Sequence, residues 1–171
     1  LKLDPATGAV THITSLPQKP NGLVVAGDLL FASDPSGAWG THYTFDLAGT
    51  RLASLEWNYY SSEYIWSPTN RRMYFFRDSF SPNDLMAEPI AVNGQLTAPL
   101  DTPYHGEVIA LHPIRVSPDG TAVVIGSGQV FNGNTLAQSN SLPYNISDAT
   151  WINNQLVTLR AGTADTRVQY W

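Results

Sequence analysis

The chain has 171 residues, of which 43% are apolar and only 13% are charged, and its net charge is −5. This composition excludes an intrinsically disordered protein, and the excess of acidic residues without a basic run argues against a nucleic-acid partner. Cysteine is absent, which excludes disulfides, thiolate metal ligands and a cysteine nucleophile. No stretch reaches the roughly 18 apolar residues of a membrane span, so we expect no membrane insertion.

A turn that contains glycine recurs along the chain at a nearly constant spacing, each time between two short apolar segments. Its four glycines lie 41, 45 and 39 residues apart and are Gly8, Gly49, Gly94 and Gly133. A second polar turn precedes an apolar segment in each repeat, at 27–28, 69–70, 119–120 and 153–154. Such turns between apolar runs are typical of β-hairpins, so each repeat is predicted to hold two hairpins.

These turns divide the chain into short strands. In chain order the predicted strands are residues 1–4, 10–15, 23–26, 29–33, 41–46, 51–56, 64–67, 73–77, 86–92, 95–100, 114–117, 122–126, 129–131, 136–139, 149–152, 156–160 and 167–171. No segment longer than about eight residues has helical periodicity, so the predicted fold class is all-β. Repeats of about 40 to 45 residues with four strands each predict a β-propeller of four-stranded antiparallel blades, because one such unit cannot bury its apolar faces alone.

The repeats also predict the organisation of the domain. We expect one domain, 1–171, with a partial blade at 1–16 and blades at about 21–57, 63–105, 113–140 and 146–171, which makes about four blades. Both terminal pieces supply a third strand and cannot complete each other, which favours part of a seven- or eight-bladed ring. An open stack exposes apolar faces at its ends, so self-association or pairing with further blades is expected.

One hairpin resembles the repeats of a known group of proteins. Ser117-Pro118-Asp119-Gly120, followed by the apolar strand, is similar to the repeats of the YVTN, TolB and lactonase-like β-propellers. Residues 65–70 are a looser copy, and 45–49 and 3–8 resemble the turn after the third strand in the same families. The resemblance implies a bacterial exported or surface protein with a propeller fold. Because these families include enzymes, translocation accessories and surface domains, it implies no single activity.

In a propeller, the loops that follow the second and fourth strands of each blade emerge on one face. Here they are predicted at 34–40, 57–63, 78–84 and 101–113, and they combine aromatic side chains with carboxylates, as sugar and peptide sites do. The candidate ligand-binding residues of this loop face are Asp34, Trp39, Tyr60, Arg77, Asp78, Tyr104, His105 and Glu107.

Structural roles compete with binding at several of these positions. Trp57, Tyr59 and Tyr60 are expected to wedge between blades, and Arg77 with Asp78 is expected to form a structural ion pair. His12 and His42 are expected at the surface or in packing. His105 and His112 flank Glu107 without a recognised metal-ligand spacing, and 78–84 lacks the glycine and glutamate of a calcium loop. We therefore predict no metal and no cofactor.

The sequence contains no nucleophile elbow, zinc-protease, phosphate-loop or dinucleotide motif, so no catalytic residue is predicted. The leading hypothesis is a non-enzymatic domain outside the cytoplasm, at the cell surface, extracellular or periplasmic, whose loop face binds a protein or a glycan. The first alternative is a lactonase-like or hydrolase-associated enzyme. It requires several of Asp34, Asp78, Asp101, His105 and Glu107 to converge on one point. The second alternative is a structural spacer in a surface protein.

Overall fold

The computed structural model describes residues 1–78, 80–161 and 165–171, and this part of the chain is all-β. No helix that could cross a membrane occurs in it. The strands are β1 (Lys2–Leu3), β2 (Val10–Thr11), β3 (Gly22–Ala26), β4 (Leu29–Asp34), β5 (Thr41–Asp46), β6 (Arg51–Glu56), β7 (Tyr64–Ser67), β8 (Arg72–Phe76), β9 (Leu85–Pro89), β10 (Leu100–Asp101), β11 (Ile114–Val116), β12 (Ala122–Ile125), β13 (Gln129–Asn132), β14 (Gln138–Ser141), β15 (Asp148–Ile152), β16 (Gln155–Ala161) and β17 (Thr166–Tyr170).

The strands form antiparallel sheets in which neighbours in the chain are neighbours in space. Sheet 1 is β3 to β6, sheet 2 is β7 to β10, sheet 3 is β11 to β14, and sheet 4 has the three strands β15 to β17. β1 and β2 form a separate pair. The predicted all-β class and the four-stranded antiparallel sheets are therefore confirmed.

Tight turns explain why each sheet is a simple meander. Gly27 has a φ of 69°, and Asn153 and Asn154 have 51° and 63°, as two-residue hairpin turns require, while Gly120, with a φ of 72°, lies in the wider turn between β11 and β12. In the turn at 117–120, Asp119 Oδ1 accepts hydrogen bonds from Ser117 Oγ at 2.6 Å and from Thr121 N at 3.0 Å. These bonds lower the pKa of the Asp119 carboxyl and hold the hairpin in register.

Alternation along β8 shows how the sheets pack against one another. Met73 and Phe75 belong to the apolar cluster shared with sheet 1, and Tyr74 and Phe76 to the cluster shared with sheet 3. All four are fully buried, so the strand reads as a continuous apolar run because both of its faces are covered. Burial of each such side chain contributes about 1.5 to 3 kcal/mol.

The sheets follow one another in a row, because the first strands β3, β7, β11 and β15 contact each other in that order. Both ends of the row carry apolar side chains. The free face of sheet 1 borders a groove of about 620 Å³ whose lining includes Leu16, Leu30 and Phe45. On sheet 4, Val168 and Tyr170 are exposed.

Two predicted strands lie elsewhere in the structure. The fourth strand of sheet 2 was expected at 95–100 but is Leu100–Asp101, and only an isolated bridge joins Ile90 to Leu96. The strand expected at 136–139 is Gln138–Ser141. There Asn132 accepts hydrogen bonds from Asn134 N, Thr135 N and Leu136 N, so the turn is wider than an Asn-Gly pair implies.

Candidate functional site

Four aromatic residues from three loops meet at one edge of sheets 1 and 2, and we call them the aromatic platform. Trp39 follows β4, Trp57 and Tyr59 follow β6, and Phe80 follows β8. The rings of Trp39 and Trp57 are 6.0 Å apart and nearly parallel, with an interplanar angle of 25°. Phe80 lies 4.5 Å from Trp39 and 4.4 Å from Tyr59. The contacts are aromatic throughout, although the residues are far apart in the sequence.

The backbone of the aromatic platform is unusual. Trp39, Trp57 and Tyr59 have φ values of 72°, 69° and 59°, in the left-handed region that bulky side chains rarely adopt. Each such residue costs on the order of 1 to 2 kcal/mol. Trp39 and Trp57 nevertheless remain 51% and 58% exposed, so burial of their rings repays little of that cost. Strain of this kind is concentrated at functional sites.

Beside the platform lies a group of charged residues that we call the carboxylate cluster: Arg77, Asp84, Asp101 and His105. Arg77 Nη2 donates to Asp84 Oδ2 and lies 3.4 Å from Asp101 Oδ2. His105 Nδ1 is 3.2 Å from Asp84 Oδ2. The Arg77 guanidinium also lies 5.4 Å from the ring centroid of Tyr59, which connects the cluster to the platform.

A third group surrounds His112 and has the outline of a catalytic triad. His112 Nδ1 is 2.9 Å from Glu63 Oε2, and His112 Nε2 is 2.9 Å from Ser62 Oγ. However, Asp78 Oδ2 accepts hydrogen bonds from Ser62 N and Ser62 Oγ, both at 2.7 Å, and lies 3.1 Å from His112 Nε2. The Ser62 hydroxyl therefore donates to Asp78 and not to the imidazole, which departs from the serine–histidine pairing of a Ser-His-Asp triad.

Arg115 extends this group into a structural network. Its Nη1 donates to Glu63 Oε1 and its Nε donates to Asp148 Oδ1, both at 2.8 Å. Ile114 N donates to Glu63 Oε2 at 2.9 Å. Glu63 precedes β7, Arg115 lies on β11 and Asp148 lies on β15, so the network ties together the first strands of three successive sheets.

Acid should weaken this network. Burial raises the pKa of Glu63, but hydrogen bonds from Ile114, His112 and Arg115 outweigh it and leave the pKa below its usual value. A carboxyl with a depressed pKa stabilises the fold above its unfolded pKa, and this stabilisation is lost as the pH falls through the folded pKa. We expect Glu63→Gln to cost about 1 to 3 kcal/mol at neutral pH and to flatten the loss of stability in acid, measured by urea unfolding between pH 7 and pH 3. The exposed Glu107→Gln serves as control, and identical slopes for the two variants would contradict this role of Glu63.

The eight residues predicted for the loop face have different environments. Trp39 and Tyr60 are exposed, as are His105 and Glu107. Arg77 and His105 belong to the carboxylate cluster, and Asp78 belongs to the group around His112.

Two of the eight lie beneath the exposed surface. Asp34 is only 1% exposed, and its Oδ1 and Oδ2 accept hydrogen bonds from Ser36 N and Gln18 N. Tyr104 packs against the core between sheets 2 and 3, and its hydroxyl accepts a hydrogen bond from Gln138 N at 3.1 Å. Internal hydrogen bonds therefore engage both residues, and we leave them out of the proposed site.

Of the five residues named for an enzyme, the described part of the chain brings Asp101 and His105 together beside Asp84 and places Asp78 and Asp34 in other hydrogen-bonded groups. Asp101 and His105 lie in the carboxylate cluster, Asp78 is held by Ser62 and His112, and Asp34 is buried beside Ser36. Phe80, Ser62 and Glu63 were not among the predicted site residues. The repeat placed their loops, 57–63 and 78–84, on one face of the domain. Nothing in the local sequence marks these three residues as members of a contact cluster.

No protein-family model matches the chain, and the comparison with curated proteins found no match either. Among solved structures, the crystal structure of the computationally designed Ika4 protein is similar to this chain. It is 14% identical, the TM-score is 0.55, and the similarity covers 95% of this chain and 99% of that one. At this identity the likeness shows an all-β fold and carries no information on activity.

Proposed function

We propose that the chain is a non-enzymatic β-propeller domain that acts outside the cytoplasm and binds a glycan through the aromatic platform. The observation that carries this proposal is the pair Trp39 and Trp57, two nearly parallel indoles that are half-exposed on strained backbone. Exposed apolar side chains on strained loops cost stability, and ligand binding is the function that accounts for their presence.

The finer fold in this proposal is a ring in which each sheet is a blade, with seven or eight blades when complete. Three observations support it. Three of the four sheets are meanders of four strands, the first strands of successive sheets lie side by side, and apolar clusters fill the spaces between successive sheets. The exposed apolar faces of sheets 1 and 4 are the faces that further blades would cover.

A glycan fits the chemistry of the platform better than a protein does. Indole rings offer flat apolar faces for the C–H groups of a pyranose, and neighbouring polar side chains can bind its hydroxyls. Tyr60 is exposed on the loop that carries Trp57, and His105 and Glu107 are exposed on the loop after β10, so these three residues offer such groups. Arg77 already lies over the Tyr59 ring, whereas Trp39 and Trp57 remain 51% and 58% exposed. We propose binding in place of catalysis because Ser62 donates to Asp78 and not to His112, so the serine–histidine pairing of a catalytic triad is not formed.

The proposal can be tested with a glycan array followed by titration calorimetry on the best ligand. We expect Trp39→Ala and Trp57→Ala each to weaken binding about tenfold or more, because truncation of an aromatic anchor typically costs over 1 kcal/mol. Tyr170→Ala is the matched control, since Tyr170 is an exposed aromatic residue on sheet 4, and it should bind as the wild type does.

Two results would count against this function. If the tryptophan variants bind the ligand as tightly as the control, the platform is not the site. If no glycan binds but a protein does, and the same variants lose that protein, the loop face is a protein-binding surface and the glycan assignment is wrong.

A further inference from the structure

Buried polar atoms without a hydrogen-bond partner are concentrated in one place. Eight such side-chain atoms occur among the described residues, and five of them belong to residues of the carboxylate cluster or to their immediate neighbours in the chain. They are Arg77 Nε, Asn83 Oδ1, Asp84 Oδ1, Asp101 Oδ1 and Thr102 Oγ1. An unpartnered buried oxygen costs about 1 to 3 kcal/mol, so a native protein normally satisfies it with a protein group, a water or an ion.

Strand pairing brings these residues together. Asp84 precedes β9, Asp101 ends β10, and Asp101 lies opposite Met86 in the ladder that joins the two strands. Thr102 N donates to Leu85 O at 3.2 Å, which continues the pairing to the residue beside Asp84. One ligand atom each from Asp84, Asp101 and His105 therefore lie within 4.8 Å of one another.

The two oxygens of each carboxylate have different environments. The Oδ2 atoms of Asp84 and Asp101 face Arg77, whereas their Oδ1 atoms have no partner. Asp84 is fully buried, so its free oxygen cannot be hydrated by bulk solvent. One guanidinium cannot neutralise two carboxylates. Burial raises the pKa of Asp101 and the neighbouring Asp84 charge adds to this effect, although Arg77 opposes it.

We propose that Asp84, Asp101 and His105 form a binding site for a hard divalent cation, of the Mn²⁺ or Ca²⁺ kind. In this site Arg77 holds one oxygen of each carboxylate, and the cation takes the second oxygen of each.

The donor set decides the class of ion. Carboxylate oxygens suit Mg²⁺, Ca²⁺ and Mn²⁺, and an imidazole is also accepted by Mn²⁺, whereas the thiolates that favour soft ions are absent from the chain. The amide oxygen of Asn83 and the hydroxyl of Thr102 are further oxygen donors next to the two carboxylates. His105 is 60% exposed, so the site has access to solvent and to water ligands on that side.

Titration calorimetry on chelator-treated protein tests the site, with MnCl₂ and CaCl₂ as separate probes and ZnCl₂ as a comparison. We expect one equivalent of Mn²⁺ or Ca²⁺ to bind, and Asp101→Asn to weaken that binding about tenfold or more. Asp101→Asn is the first choice because Asp101 is partly exposed, and Asp84→Asn serves as the second variant. Asp165→Asn, an exposed carboxylate on the loop before β17, is the matched control and should bind like the wild type.

Three results would overturn the proposal. The first is the absence of binding heat for either ion at millimolar concentration, which would leave buried water as the partner of the free oxygens. The second is equal affinity of the Asp101→Asn and Asp165→Asn variants. The third is binding of Zn²⁺ without binding of Mn²⁺ or Ca²⁺, which would contradict a hard-ion site.

Discussion

Glu88→Ala is expected to cost about 3 to 5 kcal/mol of folding free energy, one of the two largest effects predicted for this chain. Glu88 and His42 are both fully buried, and Glu88 Oε2 lies 2.6 Å from His42 Nδ1. Asn58 Nδ2 donates to Glu88 Oε1 at 3.2 Å, and the Tyr64 hydroxyl lies 3.2 Å from His42 Nε2. Removal of Glu88 leaves His42 and Asn58 buried without this hydrogen-bond partner. The free-energy cost of such buried polar groups exceeds the net stabilisation that their contacts with Glu88 provide.

Urea unfolding at neutral pH measures the effect. Glu107→Ala is the control, because Glu107 is exposed and should lose less than about 0.5 kcal/mol. Replacement of both partners, His42→Phe with Glu88→Leu, should recover much of the loss, since replacing both partners of a buried hydrogen bond by apolar groups of similar shape is close to neutral. A loss below 1 kcal/mol for Glu88→Ala would contradict the role of this pair in joining sheets 1 and 2.

Gly126→Ala is expected to cost about 3 kcal/mol, through a steric conflict with the backbone. A Cβ at this position would lie 2.0 Å from His112 O and 2.7 Å from Leu111 O. The residue is fixed from both sides, because Gly126 N donates to Leu111 O and Gly126 O accepts from Ile146 N, at 2.7 and 2.8 Å. The backbone of sheet 3 would have to shift to admit the methyl group.

Gly27→Ala separates this steric conflict from ordinary backbone strain. Gly27 has a φ of 69°, but nothing lies within 4 Å of its Cβ position, so only the left-handed conformation is penalised, by about 1 to 2 kcal/mol. Thermal or urea unfolding should therefore rank Gly126→Ala as clearly more destabilised than Gly27→Ala. Equal losses for the two variants would show that the close approach at Gly126 relaxes without cost.

Local chemistry made most of the sheets predictable from the sequence. The strands Thr41–Asp46, Arg51–Glu56 and Tyr64–Ser67 were predicted at their observed bounds, because turns with glycine or asparagine delimit them and apolar residues fill them. The fourth strand of sheet 2 was misplaced because residues 95–100 are apolar enough for a strand, but Leu96 forms only an isolated bridge and Leu100 is where the observed strand begins. Outer strands bury less surface, so their sequence constrains them less.

The candidate site was less predictable because its contacts are not local. Loop positions identified Trp39 as a candidate, whereas Trp57 was expected to wedge between blades but is 58% exposed, and neither the stacking of the two rings nor the contact with Phe80 was predicted. His42 and Glu88 are 46 residues apart, and His112 and Glu63 are 49 apart. The packing of one sheet against the next determines which of these side chains meet. No local pattern in a single sequence identifies such pairs. Asp34 shows the reverse case, because a carboxylate at a loop start was expected at the surface but is buried by hydrogen bonds to Ser36 and Gln18.

The central claim is that Trp39 and Trp57 contact a glycan, and the indole N–H signals in a ¹H–¹⁵N NMR spectrum test it most directly. The chain has five tryptophans, so each ring provides its own signal, and these are Trp39, Trp57, Trp66, Trp151 and Trp171. On titration with the best array ligand, we predict that the Trp39 and Trp57 signals shift together and saturably while the other three stay in place. Shifts confined to Trp66, Trp151 or Trp171, or no shift at a saturating concentration, would contradict the account.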